Sequence, residues 1–215
     1  MFYLFNSNFP DPNLADEEGL VAVGADLEPE TLIKAYSMGL FPWYSDDDPI
    51  MWWSPDPRLI LIPKEVVISK SMKQLFKKQV FQFTVNKAFE QVIFECRNNR
   101  LLKEGTWITP EIQQAYQALH KLGYAHSVEV WNNEVLVGGL YGVMIGKVFF
   151  GESMFSKESN ASKAALIYWC LHCLKHDIRL IDCQQSTNHL KSMGAYEIPR
   201  NEFLSLLEIL CVKQV

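Results

Sequence analysis

The sequence predicts an α+β protein in two parts. A small N-terminal domain covers residues 1–62, and a larger domain of mostly antiparallel strands covered by helices spans 63–215. Three observations carry this. From Phe81 onward, stretches of period-two alternation and of helical periodicity follow one another, with a hairpin near their centre. Texture and the sign of the charge both change near Pro63. The 215 residues, 48% apolar and 13% aromatic, suffice to bury a substantial core.

Residues 11–30 hold seven acids and no base. A short helix then runs from Pro29, a helix-start residue, through inward Leu32, Ile33 and Tyr36 to a terminating Gly39. The aromatic and proline-rich run from Leu40 to Arg58 predicts a rigid, irregular platform. In it Trp52 and Trp53 are expected in the core, while Trp43, after a proline, is placed to be exposed for stacking. Beyond Pro63, Lys64, Lys70, Lys73, Lys77 and Lys78 face one acid, Glu65. Ser69–Lys78 reads as an amphipathic helix with Met72, Leu75 and Phe76 inward and a lysine face outward, suited to an anionic partner.

Phe81–Val85 alternates as a strand, and Asn86 is the expected cap of a helix reaching Arg97. Thr109 and Pro110 start a helix that ends near Gly123, with Trp107 before the cap either packing as a staple or offering its face to a base. A hairpin follows, Ala125–Trp131 and Glu134–Met144 about an Asn132-Asn133 turn, leading into a strand over 147–151. Glu152–Ser156 is expected to be a strand-to-helix loop, and Asn160 to cap a buried helix from Ala161. Arg179–Gln184 is a strand whose Asp182 and Gln184 share one face, with Cys183 opposite. A short helix near 187–192 and a capped helix from Asn201 complete the chain.

Composition excludes several classes. A net charge of −5 argues against coating nucleic acid by global charge, though not against a local basic patch. No leader precedes Phe9-Pro10, and the longest near-apolar run, Val135–Gly146, is too short to span a bilayer. Five irregularly spaced cysteines suggest reduced thiols in a cytoplasm. There is no Walker loop, GxGxxG, HExxH or GxSxG elbow. Cys170, His172, Cys173 and His176 divide between two helix faces, so packing and surface histidines are preferred to a metal site. What remains is polar groups at two strand ends, Glu152 and Asp182/Gln184. A carboxylate there is costly unless it is paired, solvated or used. Such a site could hold an amine against an already activated acyl donor.

Seven ordered stretches then carry a resemblance: Gly39-Leu-Phe-Pro-Trp-Tyr, Trp52-Trp-Ser-Pro-Asp-Pro-Arg, Glu104-Gly-Thr-Trp-Ile-Thr, His126-Ser-Val-Glu-Val-Trp, Val137-Gly-Gly-Leu-Tyr-Gly-Val, Gly151-Glu-Ser-Met-Phe-Ser and Leu180-Ile-Asp-Cys-Gln. From about Glu18 to Leu207 the chain resembles the bacterial leucyl/phenylalanyl-tRNA–protein transferases. The resemblance implies transfer of Leu or Phe, and also Met, from aminoacyl-tRNA to the N-terminal Lys or Arg of proteins, marking them for N-end-rule degradation. It implies a GNAT-like larger domain, no cofactor, no metal, and a cytoplasmic, non-membrane protein expected to act as a monomer. By position, Trp43 and Trp107 would flank the terminal adenosine, and Leu140, Phe149, Trp169 and Ile181 would line the amino-acid pocket with Met154 and Phe155 nearby. Glu152, Asp182 and Gln184 would serve catalysis, Asp182 acting on the amine's proton while oriented through Gln184. Lys70, Lys73, Lys77 and Lys78 would meet the acceptor stem. A CoA-dependent N-acetyltransferase is the second reading, weakened because residues 152–162 contain no glycine to cradle a pyrophosphate. A non-catalytic RNA-binding module is the third, and would leave Glu152 and Asp182 without a task.

Overall fold

The computed structural model describes residues 2–101 and 106–212, so Glu104 and Gly105 of the third stretch lie outside the described residues. The chain builds two sheets. The smaller one joins β1 (Phe2–Leu4), β2 (Leu20–Gly24), β4 (Met51–Trp53) and β3 (Phe41–Pro42), in that order. The segment expected to be an irregular platform is therefore a short sheet, because Phe41 and Pro42 pair with Trp53 and Trp52. Trp52 is fully buried, whereas Trp53 is only partly covered and its indole N–H donates to the Trp43 carbonyl at 2.7 Å.

The larger sheet runs β11 (Tyr196–Ile198), β5 (Arg58–Leu61), β10 (Leu180–Gln184), β9 (Val148–Ser156), β8 (Val135–Ile145), β7 (Ala125–Asn132) and β6 (Gln82–Val85). Its pairs are antiparallel except β9 with β10. Arg58–Leu61, before Pro63 in the chain, is thus a strand of the larger sheet.

Helices cover both faces. Pro29–Ser37 (α1), Phe89–Leu101 (α3) and Pro110–Lys121 (α4) share one apolar cluster with Tyr141, Val143, Phe150 and Phe155. Ala161–Lys175 (α5) and Lys70–Lys77 (α2) share another with Leu140, Phe149 and Ile181. Alternate residues of β8 and β9 thereby enter opposite cores, as the pleat requires. The first cluster is continuous with Val21, Ala22 and Trp52 of the small sheet. Asn188–Lys191 (α6) and Arg200–Leu210 (α7) follow β10 and β11.

The expected Thr109 cap behaves as read: its Oγ1 accepts from the Ile112 N–H at 3.1 Å, with Pro110 in the first turn. Ser69, at the expected start of an amphipathic helix, caps α2 in the same way through Met72. Others differ. Asn86 turns its amide to β7, accepting from Ser127 N–H, and α3 starts at Phe89 instead. The Glu129 carboxylate approaches the Lys87 and Ala88 N–H groups there, placing negative charge at the helix's positive end. Asn160 is left-handed (φ 69°) and Pro199 precedes α7, so neither helix has the side-chain cap expected. The hairpin turn is Asn133-Glu134, both with positive φ, one residue later than the Asn132-Asn133 reading, because Asn132 pairs with Val135.

The largest difference is that Glu152–Ser156 continues β9 and pairs with β8 as far as Gly138. A bulge makes this possible. Gly142 pairs with Gly151 and Tyr141 with Ser153, leaving Glu152 as the extra residue. A Cβ on Gly142 would stand 2.5 Å from the Phe149 ring and 2.2 Å from the Phe150 carbonyl oxygen. Gly142→Ala is therefore expected to displace the β9 backbone or the Phe149 ring and lower stability by about 1–3 kcal/mol, the usual cost of overpacking. Urea unfolding checks this, and a midpoint equal to the parent's would show that β9 yields freely.

Candidate active site

Where β9 and β10 run side by side, a cleft of about 410 Å³ opens against the small sheet. Its apolar wall is Leu140, Phe149, Met154, Leu166 and Ile181, and Trp43 and Trp107 stand at its border. Trp43 is 40% exposed, as the sequence suggested. Trp107 is partly buried against the first cluster while still facing the cleft.

Glu152, only 7% exposed, has ligands on both oxygens. Oε1 accepts from Tyr36 Oη at 2.7 Å and from Gln184 Nε2 at 2.8 Å, and Oε2 accepts from Tyr116 Oη at 3.0 Å. The two tyrosine hydroxyls also touch each other. Burial dominates the titration of this carboxyl. It raises the Glu152 carboxyl to about 7 against the opposing pull of Tyr36 and Tyr116, with the nearby Asp182 charge adding to the rise.

Asp182 is arranged differently. It borders the cleft, yet Arg58 Nε donates to Oδ1 at 2.8 Å and Arg58 Nη2 to Oδ2 at 2.6 Å, both residues being wholly buried. The guanidinium lies between the Phe41 and Phe203 rings, 4.9 and 4.6 Å from their centres. Oδ1 also accepts the Gln184 backbone N–H at 2.8 Å. Both oxygens of Asp182 are thus engaged by Arg58, with the Gln184 backbone as a further donor to Oδ1. Gln184 has a left-handed φ of 61° at a register shift in β10, a strained state held by that hydrogen bond. Cys183 also borders the cleft, but it packs with the second cluster, on the face opposite Asp182 as the alternation predicts, and burial raises its thiol well above the usual range.

Of the other expected residues, Trp169 does not reach the cleft wall: it packs behind Phe149 with ring centres 4.6 Å apart. Phe155 belongs to the opposite core. Lys70, Lys73, Lys77 and Lys78 are exposed on and just after α2, away from the cleft wall. Cys170 and Cys173 are buried in the second cluster, and the described residues contain no group of three or more potential metal ligands. Tyr36, Tyr116, Arg58 and Arg100 were not singled out by sequence. A signal existed: an inward tyrosine on an amphipathic helix needs a partner for its hydroxyl.

The titration of Glu152 has a definite sign. Its folded pKa lies above the ordinary carboxyl value, so the stability it contributes is complete below about 4.5 and is lost as pH rises to about 7. The infrared band of a protonated carboxylic acid, absent from Glu152→Gln, is expected to disappear with a midpoint near pH 7. A midpoint below 5 would place the carboxylate in a far wetter setting than this geometry.

Two family models match the chain: leucyl/phenylalanyl-tRNA protein transferase over residues 60–208 and the N-terminal domain of the same proteins over 25–56. Proteins called leucyl/phenylalanyl-tRNA–protein transferase are 52% identical in Flavobacterium johnsoniae (97% of this chain, 99% of that one) and 55% identical in Syntrophus aciditrophicus (93% and 84%). One from Shewanella sp. strain ANA-3 is 54% identical (93% and 85%). Among solved structures, a GCN5-related N-acetyltransferase from Kribbella flavida aligns with a TM-score of 0.40 at 9% identity, over 76% of this chain and 58% of that one. With both family models matched in order and more than half of its residues shared with a relative over nine-tenths of its length, the chain belongs to the leucyl/phenylalanyl-tRNA–protein transferase family.

Proposed function

We propose that this cleft carries out the reaction named by the family: transfer of leucine or phenylalanine from aminoacyl-tRNA to the N-terminal Lys or Arg of a protein. The observation that carries the reading is the pairing of a protonatable Glu152 with a Gln184 amide at the edge of an apolar cleft bordered by two tryptophans. In this reading Leu140, Phe149, Met154 and Ile181 enclose the donor side chain, methionine included, and Trp169 sets the depth from behind Phe149. Trp43 and Trp107 hold the terminal adenosine. The lysines of α2 meet the acceptor stem. A domain boundary between Trp53 and Arg58, where the chain passes from the small sheet to the large one, a monomeric state and a cytoplasmic setting, where charged tRNA is available, belong to the same reading. No helix of the described residues is long and apolar enough to cross a membrane.

The chemistry asked of the protein is modest. An aminoacyl ester is already activated, and an α-amine of pKa about 8 leaves roughly a tenth neutral at pH 7. Holding amine and ester together supplies several kcal/mol. Because Gln184 Nε2 is fixed on Glu152, its Oε1 is turned to accept an N–H of the incoming amine. The amine nitrogen bonds to the ester carbonyl carbon, the bond to the ribose oxygen breaks, and ionised Glu152 takes the amine's proton. Returning that proton to the departing ribose oxygen resets the site. Asp182, locked to Arg58, is a positioning residue for Gln184.

Incubating the protein with labelled Phe-tRNA and a Lys-N-terminal peptide, without CoA or ATP, is expected to put label in the peptide. No transfer would defeat the reading, and transfer of acetyl from CoA would favour the second one. In single turnovers the parent rate should rise with pH through about 7 and again near 8, where the amine ionises. Glu152→Gln should be slower by about 10²–10⁴ and keep only the rise near 8. Asp182→Asn should be slower above pH 8 and should have its lower rise shifted to a pH below 7, because the Asp182 charge that helps raise the Glu152 carboxyl is gone. Retention of the lower rise by Glu152→Gln would assign it to another group.

Changing Lys73, Lys77 and Lys78 together to Ala should weaken tRNA binding. It should also flatten the slope of log affinity against log salt by about 2, as roughly three phosphate contacts would give. An unchanged slope would move the acceptor stem off α2.

A further inference from the structure

Among the described residues Arg100 is the one Lys or Arg on the cleft wall, and the reaction above gives it no task. It stands in the last turn of α3, near the described end of that helix, where its charge meets the negative end of the dipole. Its Nε donates to Ser153 Oγ at 3.1 Å, and its guanidinium carbon lies 5.9 Å from the centre of the Trp107 ring. Among the described residues it forms no ion pair. The β9 bulge makes this anchoring possible, since it lets Glu152 and Ser153, adjacent in sequence, both face the helices on one side of the sheet.

We propose that Arg100 grips the phosphate on the 5′ side of the donor's terminal adenosine, an inference that rests on Trp43 and Trp107 being the walls for that adenosine. A nucleotide whose base lies on Trp107 carries its 5′-phosphate one ribose away, on the border where Arg100 stands. With Nε committed to Ser153, the plane of the guanidinium is fixed and its two terminal amino groups are presented together, the arrangement that matches a pair of phosphate oxygens. The partly dehydrated wall strengthens the attraction relative to the exposed lysines of α2. The two basic features then differ in kind. The lysines attract a polyanion, whereas Arg100 fixes one phosphate and hence the register of the ester against Glu152. Among the described residues Arg100 makes no hydrogen bond to Glu152, whose partners are Tyr36, Tyr116 and Gln184.

The test uses two small donors that differ by one phosphate, the 3′-phenylalanyl esters of adenosine and of adenosine 5′-monophosphate, with a Lys-N-terminal peptide and the full-length protein. In the parent the phosphate should raise kcat/KM roughly tenfold to a hundredfold, the worth of a charge-assisted hydrogen bond. Arg100→Gln should bring that ratio close to one, losing at least tenfold more on the phosphate-bearing donor than on the other. Arg100→Lys, with charge but no fork, should retain part of the ratio. A ratio that persists in Arg100→Gln, including an equal loss on both donors as expected if the guanidinium works on the ester, overturns the proposal. So does a parent active on Phe-tRNA that is indifferent to the phosphate. A parent inactive on Phe-tRNA itself would instead remove the reading of the cleft on which this inference stands.

Discussion

Two buried carboxylates, set where the parallel pairing of β9 with β10 stops, are the constraint around which this molecule is arranged. Side by side in a poorly solvated place, Asp182 and Glu152 cannot both keep a full negative charge without help. Only one receives a cation. Arg58, itself lodged between Phe41 and Phe203, takes both oxygens of Asp182. Glu152 receives hydroxyls and an amide, donors that stabilise charge more weakly. One carboxylate is thereby fixed and the other left poised to exchange a proton near neutrality. Removing Arg58 alone would leave a buried charge unpaired, a loss of roughly 3–5 kcal/mol in comparable cases.

The same network joins the two parts of the chain. Tyr36 comes from α1 near the N-terminus, Tyr116 from α4, Glu152 from β9, and Gln184 with Asp182 from β10. Two departures from regular pairing aim these groups: the extra residue in β9 at Glu152 and the register shift in β10 before Gln184. Regular strands would send successive side chains to opposite faces, and neither site would close. Glycine at 142 clears the space beside the first of these, with Phe149 occupying it.

Much of this was legible in the sequence, for identifiable reasons. Helix starts with a hydroxyl cap followed by an apolar stripe, as at Ser69 and Thr109, declare themselves locally. Glu152 and Gln184 stood out because polar groups at core strand ends need an explanation. What stayed hidden was set by distant partners. Nothing near Arg58 announces a carboxylate 124 positions later, and Asn86 gave up its helix for a bond to Ser127. Bulges are equally opaque, since an extra residue changes no composition. Glu152–Ser156 therefore read as a loop although it is strand. Trp169 was assigned to the pocket wall from its position in the chain, whereas depth behind Phe149 is a property only of the packed core.

The charge pattern has a final consequence for how a protein of net charge −5 could engage a polyanion. At physiological salt, fields from exposed charges fade within about 8 Å, so the overall sign matters less than which face is presented. The acids are dense in residues 11–30 and again at Asp46–Asp48, next to Trp43. The lysines are dense on α2, in contact with β6 and α5 through Phe76, Phe83 and Tyr168. In the proposed reading the lysines of α2 draw the polyanion while the acidic stretches repel it, so charges of the two signs are kept in separate segments. That separation matters most for a reaction whose catalytic power comes mainly from holding two partners in place.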